Sequence, residues 1–535
     1  MDNTKAKRFL YSRVIIIFLF ILIQLLIYFL FLYKFRTSIE FFLGGRLGIS
    51  FGFMIYLANS RGKNEFKFAW FLPFLIFPLF GIAVYILFHT DFGGRKLRRR
   101  LLSVKKETKD LQTKLGDLDE AYARYPEIKD LCFYLALYGN FHPFMNNSLV
   151  YYPAGENFFP DFVNELSKAK RFIFLEFFII KMDESWNKIL SILEKKAKEG
   201  LEIRLLCDGF GSAMSLSNHY LEHLEKHGIK AKFFLPLIPV FSTYMNFRNH
   251  RKIVVIDGEV SFTGGINISN QYFNTGKNRF DYWKDNAIKI TGEAASSLSA
   301  MFLQDWNLRP DKKNPADVYG KYLIPSEVRA ITDKSQSSLL SVTKNDKQIL
   351  PYNSGLVIPY GDDAFNELDI AEDVYSYIIE DAKRYLHITS PYVLIDENLM
   401  ESLIFAHRRG VEVSIIVPSV PDHYITFCIG RTYIKKLMDA GIKVYLYQKG
   451  FIHAKTFICD DKIATVGTIN LDYRSLFHHF ECGCVIYKNQ VIEKIEKDFQ
   501  ESIRESLLLD EENYKKISRV QKVLGHICKI FAPIM

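Results

Sequence analysis

The sequence predicts an α/β body made of two related halves, set behind an apolar amino-terminal segment. Three observations predict it. Strand-like and helix-like runs alternate beyond about residue 110. One ordered phrase recurs in both halves. Long uncharged stretches crowd the first ninety residues. At 535 residues the chain has room for several cores, since a domain takes about 150 residues. A content of 49% apolar residues excludes a disordered chain, and 24% charged residues exclude one made only of membrane spans. Seven scattered cysteines exclude a disulfide scaffold and fit a reducing compartment. The net charge of +9 is modest for this length, so its location has to decide what it attracts.

Residues 14–32 read VIIIFLFILIQLLIYFLFL without a charge, enough to cross a hydrocarbon core of about 30 Å as a helix. No small-residue cleavage site follows, which disfavours a signal peptide. Residues 68–88 predict a second span, with Trp70 near one end and Tyr85 near the other, where interfacial aromatics belong. Between them residues 41–58 are apolar but broken by Gly44, Gly45 and Arg46, as in a poor third span, a re-entrant piece or an interfacial helix. Arg95, Lys96, Arg98, Arg99, Arg100, Lys105 and Lys106 follow, a cluster that the positive-inside rule puts in the cytoplasm. Lys5, Lys7, Arg8 and Arg13 argue for an inside start and an even number of crossings. Residues 1–108 are thus expected to be a membrane anchor. Its basic end would also hold the next domain to anionic lipid at about 1 kcal/mol per charge.

In the body, FIFLEFFII (172–180) and LEIRLLCD (201–208) read as buried strands, joined by a helical stretch that starts near Trp186 and ends at Gly200. RYLHITSPYV (384–393), a helix up to Gly410 and VEVSIIVPS repeat that order. Two copies make a pseudo-dimer with a natural site at its interface. The expected halves are 109–330 and 351–535, joined by a polar linker at 331–350. At the carboxyl end, Leu507, Leu508, Val520, Val523, Leu524, Ile527 and Ile530 have helical spacing, read mainly as core packing, with membrane-surface contact as the alternative.

The recurring phrase is H-x-K-x-x-x-x-D: His250, Lys252 and Asp257 in one half, His453, Lys455 and Asp460 in the other. Asn267 and Asn470 follow at matching distance, after Gly264-Gly265 and Gly467. With thirteen histidines, and Lys and Asp each about one residue in fifteen, one chance match is expected about 0.06 times. Two in register are not accidental. In a strand, residues i and i+2 share a face, so each His projects with its Lys. Asp257 and Asp460 have the other parity, at turns, and read as organisers. Two imidazoles as nucleophile and acid, two fixed cations and two amides suit a phosphodiester, the lysines and asparagines binding its oxygens. Such a scheme needs no metal. A carboxylate should orient each imidazole, and Asp285 and Glu481 are the candidates. His478 and His479 with Cys482 and Cys484 read as half-buried strand residues rather than a metal set.

The doubled phrase resembles the signature of the phospholipase D superfamily. Within it the chain is similar to bacterial cardiolipin synthases from about residue 68 to the end. DGFGS (208–212), RNHRKIVVID and GGIN carry the likeness in the first half; SPY (390–392), VPSVPD, FIHAK and NLDYRS carry it in the second. Two departures stand out. His479-Phe-Glu481 replaces the usual Asn-x-Glu, and Lys284-Asp285-Asn286 replaces Arg-Asp-Thr. The resemblance implies that His250, Lys252, Asp257, His453, Lys455 and Asp460 form the catalytic set. It also implies two pseudo-symmetric phospholipase D-like domains around one site, without cofactor, in a multi-pass protein of the bacterial plasma membrane whose catalytic domains are cytoplasmic. The implied reaction joins two phosphatidylglycerol molecules into cardiolipin and glycerol through a phosphatidyl-histidine. The residues alone leave open which histidine attacks, and the resemblance favours His250. The rival readings are another phosphatidyltransferase, a phospholipase D hydrolase, or a membrane-tethered nucleic-acid phosphodiesterase. The last would need basic residues and aromatics around the motifs, whereas the main cluster lies beside the spans, so no nucleic acid is expected.

Overall fold

The computed structural model describes Leu22, Leu26 and Leu30 and then residues 39–534, apart from 61, 77, 90–93, 114, 115, 117, 146, 214, 237–246, 277, 310–318 and 324–354. The predicted span 14–32, save those three leucines, and the predicted linker 331–350 lie outside the described residues.

Two mixed sheets form the body. The first has seven strands in the order Asn147–Tyr152, Ala287–Gly292, Val260–Gly264, Ile253–Ile256, Phe172–Phe177, Glu202–Asp208 and Ile229–Phe234. The second repeats the order with Leu356–Asp362, His479–Tyr487, Ile463–Gly467, Thr456–Cys459, Tyr385–Thr389, Glu412–Pro418 and Lys443–Tyr447, and adds Ser506–Leu508 at its edge. In both, the last three strands of the shared order are parallel and the rest pair antiparallel. The predicted βαβ units sit at equivalent places. Helix Glu184–Lys198 starts at Asp183, whose side chain accepts from the Trp186 amide, and helix Glu397–Arg408 starts at Asp396, which accepts from Leu399.

Helix Ala295–Asn307 lies between the sheets with all its residues buried, a position that demands apolar or satisfied side chains on every face. It meets strands of both halves, and Ser297 donates to the Pro359 carbonyl across them. The basic helix Gly94–Thr113 packs on it, and part of its charge is spent on the second half: Lys105 lies 2.6 Å from Asp363 and Arg98 3.2 Å from Glu367.

The apolar stretch 68–88 departs from the expected single span. It forms two helices, Asn64–Ile76 and Pro78–His89, folded against each other. Pro73 and Pro78 explain the break, because proline removes a backbone donor and clashes with the preceding turn. Trp70 and Tyr85, expected at opposite ends, have ring centroids 5.4 Å apart. A side chain at Gly81 would strike Phe74 and the Pro73 carbonyl, so the two helices touch there. Helix Ile39–Asn59 covers the third apolar stretch, and with Leu57, Phe74 and Tyr85 the three helices share a small core. Among the described residues no helix is long and apolar enough to cross a membrane.

This helical group is tied to the second half. Lys63 pairs with Glu372 and lies 2.8 Å from Asp396, and Phe66 meets Tyr473 and Phe477 edge-on. The carboxyl end also differs from its main expectation. Helix Arg519–Cys528 packs on helix Tyr424–Asp439, where Gly525 lies against the Cys428 carbonyl, yet Val520, Val523 and Ile527 remain 70%, 59% and 64% exposed. The periodicity was that of an amphipathic helix whose apolar stripe points away from the protein.

Candidate active site

The two H-x-K segments leave their own halves. Residues Arg248–Asn249 pair in parallel with His479 and Phe480 of the second half, and the His250 amide donates to the Phe480 carbonyl at 2.9 Å. In the mirror arrangement, Phe451–Ile452 pair with Trp283 and Lys284 of the first half, and the His453 amide donates to the Lys284 carbonyl at 2.6 Å. Each histidine is thereby delivered to a carboxylate from the opposite half. His250 Nδ1 lies 2.9 Å from Glu481 Oε1, and His453 Nδ1 lies 2.6 Å from Asp285 Oδ2. With Nδ1–H donating to the carboxylate, Nε2 keeps its lone pair for substrate.

The lysines close the group. Lys252 donates to the His250 carbonyl at 2.6 Å; Lys455 donates to the His453 carbonyl and lies 2.8 Å from His453 Nδ1. Both are buried, and near enough that the charge of Lys455 acts on Lys252, and that of Lys252 on His453. Burial, reinforced by that repulsion, brings Lys252 down to about 7; burial brings Lys455 to about 8. Burial also draws His250 to about 3 and His453 to about 4, against the pull of Glu481 and Asp285. Burial opposes ionisation of those carboxyls, but the His250 contact on Glu481, and Lys455 with His453 on Asp285, hold both below the usual range. The free site therefore holds neutral imidazoles, ionised carboxylates and two readily titrated lysines.

Asp257 and Asp460 stand elsewhere. The Asp257 carboxylate accepts from the amides of Lys170, Arg171 and Phe172, and Asp460 from those of Lys383, Arg384 and Tyr385. Both have positive φ, 58° and 55°, as turn residues. Neither approaches an imidazole in these contacts; each staples the turn after its motif strand to the start of a central strand. Asn267 is spent within the protein, accepting from the Ile179 amide and donating to the Tyr272 hydroxyl at 2.9 Å. Asn470 keeps a buried Oδ1 without a hydrogen-bond partner among the described residues.

Three aromatic neighbours were not singled out from sequence. Phe178 lies edge-on to His250, and Trp283 and Tyr272 flank His453. His479 is half-buried and reaches within 3.6 Å of Glu481, and both its ring nitrogens are buried without a hydrogen-bond partner among the described residues. His250, His479 and Glu481 could together hold a metal ion, their ligand atoms lying within 4.8 Å of one another. The DGFGS phrase also gains a task. Asp208 accepts from the amides of Phe210, Gly211 and Asn249, so it fixes the backbone just before His250. Buried Arg251 ties the halves together, lying 2.8 Å from Asp305 and donating to the Glu481 and Asp362 carbonyls.

Comparison with known proteins agrees with this geometry. Residues 162–306 and 375–503 match the family model described as cardiolipin synthase, PLD-like domain, one match in each half. The chain is 38% identical to an uncharacterized protein of Streptococcus mutans serotype c, over 90% of this chain and 100% of that one. It is 33% identical to a cardiolipin synthase of Clostridium perfringens strain 13, over 89% of this chain and 95% of that one, and 31% identical to cardiolipin synthase 2 of Bacillus cereus, over 90% and 89%. Among solved structures, phosphatidylserine synthase of Haemophilus influenzae shares the fold, with a TM-score of 0.53 at 20% identity over 72% of this chain and 93% of that one. With a family match in each half and relatives aligned over nearly its whole length, the chain belongs to the phospholipase D-like cardiolipin synthase family.

Proposed function

We propose that the chain is a cardiolipin synthase, a phosphatidyltransferase that joins two phosphatidylglycerol molecules. The observation that carries the reading is the exchanged pair of carboxylate-oriented histidines, each with a buried lysine of its own motif whose charge reaches the other motif. In the proposed scheme the His250 Nε2 lone pair attacks phosphorus, and the bond to the departing glycerol oxygen breaks. His453, which takes up a proton from solvent when the phosphodiester charge enters, gives that oxygen its proton. The terminal hydroxyl of a second phosphatidylglycerol then yields its proton to His453 and attacks phosphorus, and the P–N bond breaks. The products are cardiolipin and glycerol. Lys252 and Lys455 stabilise the charge on the non-bridging oxygens. Asp257 and Asp460 support the scheme by fixing the strands, and Asn470 is better free than Asn267 to reach the phosphate.

The same proposal assigns the enzyme to the bacterial plasma membrane, with residues 1–108 as anchor and the halves 109–330 and 351–535 in the cytoplasm. The apolar surface of helices Ile39–Asn59, Asn64–Ile76 and Pro78–His89, where Leu47, Phe51, Phe68 and Ile86 are exposed, supports that assignment. Membranes carrying the protein and labelled phosphatidylglycerol should yield cardiolipin and free glycerol without added nucleotide or metal. His250→Ala and His453→Ala should each lower the rate at least about a thousandfold, the range of lost acid–base and covalent catalysis. Phosphatidic acid as the only product would overturn the reading in favour of a hydrolase.

A further inference from the structure

Arg431 is a buried cation without an anion. It sits in helix Tyr424–Asp439 with 5% of its surface exposed. Its Nε and Nη1 are buried with no hydrogen-bond partner among the described residues. The Phe427 ring, 4.4 Å from the guanidinium carbon, offsets part of the charge. A guanidinium held out of water and left unpaired is costly, so such a position suits one that is paired in another state.

What faces Arg431 is a cavity. It is small, about 30 Å3, and opens to solvent, and Arg431 lines it together with Tyr392, Asp422, Phe427 and Phe451. Asp422 is engaged by the Tyr392 hydroxyl rather than by Arg431. Phe451 precedes His453 by two residues, hence on the same side of the chain, and their rings lie 6.1 Å apart. The charge of Asp422 reaches Lys455. The cavity therefore shares its Phe451 wall with the imidazole assigned above to the acceptor hydroxyl.

We propose that Arg431 and its cavity form a second anion subsite, which takes the phosphodiester of the acceptor phospholipid while the acceptor hydroxyl reaches His453. This rests on the transfer reading. The two His–Lys pairs serve the phosphorus that reacts, but an acceptor phosphatidylglycerol brings a second phosphate, one glycerol unit from its attacking oxygen. Free glycerol and water bring none. Arg431 supplies the missing cation, and the apolar lining suits the start of an acyl chain.

The test uses the full chain in mixed micelles with labelled phosphatidylglycerol as donor. It compares two acceptors, phosphatidylglycerol and free glycerol, by cardiolipin formed against labelled glycerol exchanged. Arg431→Met should lower the preference for the phosphate-bearing acceptor at least tenfold, through a raised KM for that acceptor, and Arg431→Lys should restore part of it. With no lipid present, the Met variant should unfold at a higher temperature, by about 2 °C or more, because an unpaired buried charge is gone. An unchanged preference in the folded Met variant would overturn the inference. So would equal losses with both acceptors together with a lowered midpoint, which would make Arg431 a structural residue. A wild-type protein that forms no cardiolipin and exchanges no glycerol would instead sink the transfer reading itself.

Discussion

In the proposed scheme two buried lysines, one from each motif, set the pH range in which an anionic lipid binds. Lys252 is protonated below about 7, because burial and the nearby charge of Lys455 depress it, and Lys455 below about 8, because burial depresses it. The cationic forms are the ones that hold phosphate, so kcat/KM, which reports the free enzyme, should fall as pH rises through that interval. We expect a loss of about tenfold or more between pH 7 and pH 9, with the alkaline limb moved upward in Lys252→Arg. On the acid side the imidazoles stay neutral to about 4, so no loss from them is expected at pH 6. A profile flat to pH 9 would contradict the lysine assignment. At this scale much was legible, since His250, Lys252, His453 and Lys455 are named by a repeated spacing that chance does not produce. Asp285 and Glu481 were legible as residues but not as partners, because spacing along a chain does not say which imidazole a carboxylate will meet. His479 was visible only as a departure from the usual asparagine, and Arg431 left no pattern at all. A lone histidine in a strand and a lone arginine in a helix acquire meaning only when tertiary packing buries them beside the site.

Among elements, the two short motif strands do the most. Arg248–Asn249 and Phe451–Ile452 each pair with a strand of the opposite half, and the aspartate staples at Asp257 and Asp460 fix where the longer strands behind them turn. Hydropathy misread two other elements for one reason: it reports how apolar a segment is, not what covers it. Stretch 68–88 has the length of a span, but two prolines fold it back on itself. Helix Arg519–Cys528 has the stripe of a core helix, but only its Gly525 side meets protein. Its stripe is flanked by Lys515, Lys516 and Arg519, and no carboxylate follows Glu512 in the chain. Such a helix suits an anionic bilayer surface. A nitroxide attached at Val523→Cys, with the partly exposed Cys528 replaced by Ala, should therefore be more accessible to oxygen than to a nickel chelate in phosphatidylglycerol vesicles. Preferential access by the chelate would place the helix in water.

The whole molecule is two halves that are each incomplete. Each of the two motif imidazoles hangs on one half and is oriented by the other, and the buried contact of Arg251 with Asp305 and the Glu481 and Asp362 carbonyls holds the exchange in place. The repeated strand order explains why the chain could be read as a doubled unit from its recurring phrase. The crossing of the motif strands could not be read, because it depends on pairing between residues some two hundred positions apart. The central claim is that a histidine bonds to phosphorus, so that transfer proceeds by two displacements, each inverting the configuration there. The most direct measurement is the configuration of cardiolipin phosphorothioate formed from phosphatidylglycerol of one defined configuration at a sulfur-substituted phosphorus. Net retention is predicted. Net inversion would mean that the acceptor hydroxyl attacks phosphorus in one step, and would contradict the covalent role given to the paired histidines.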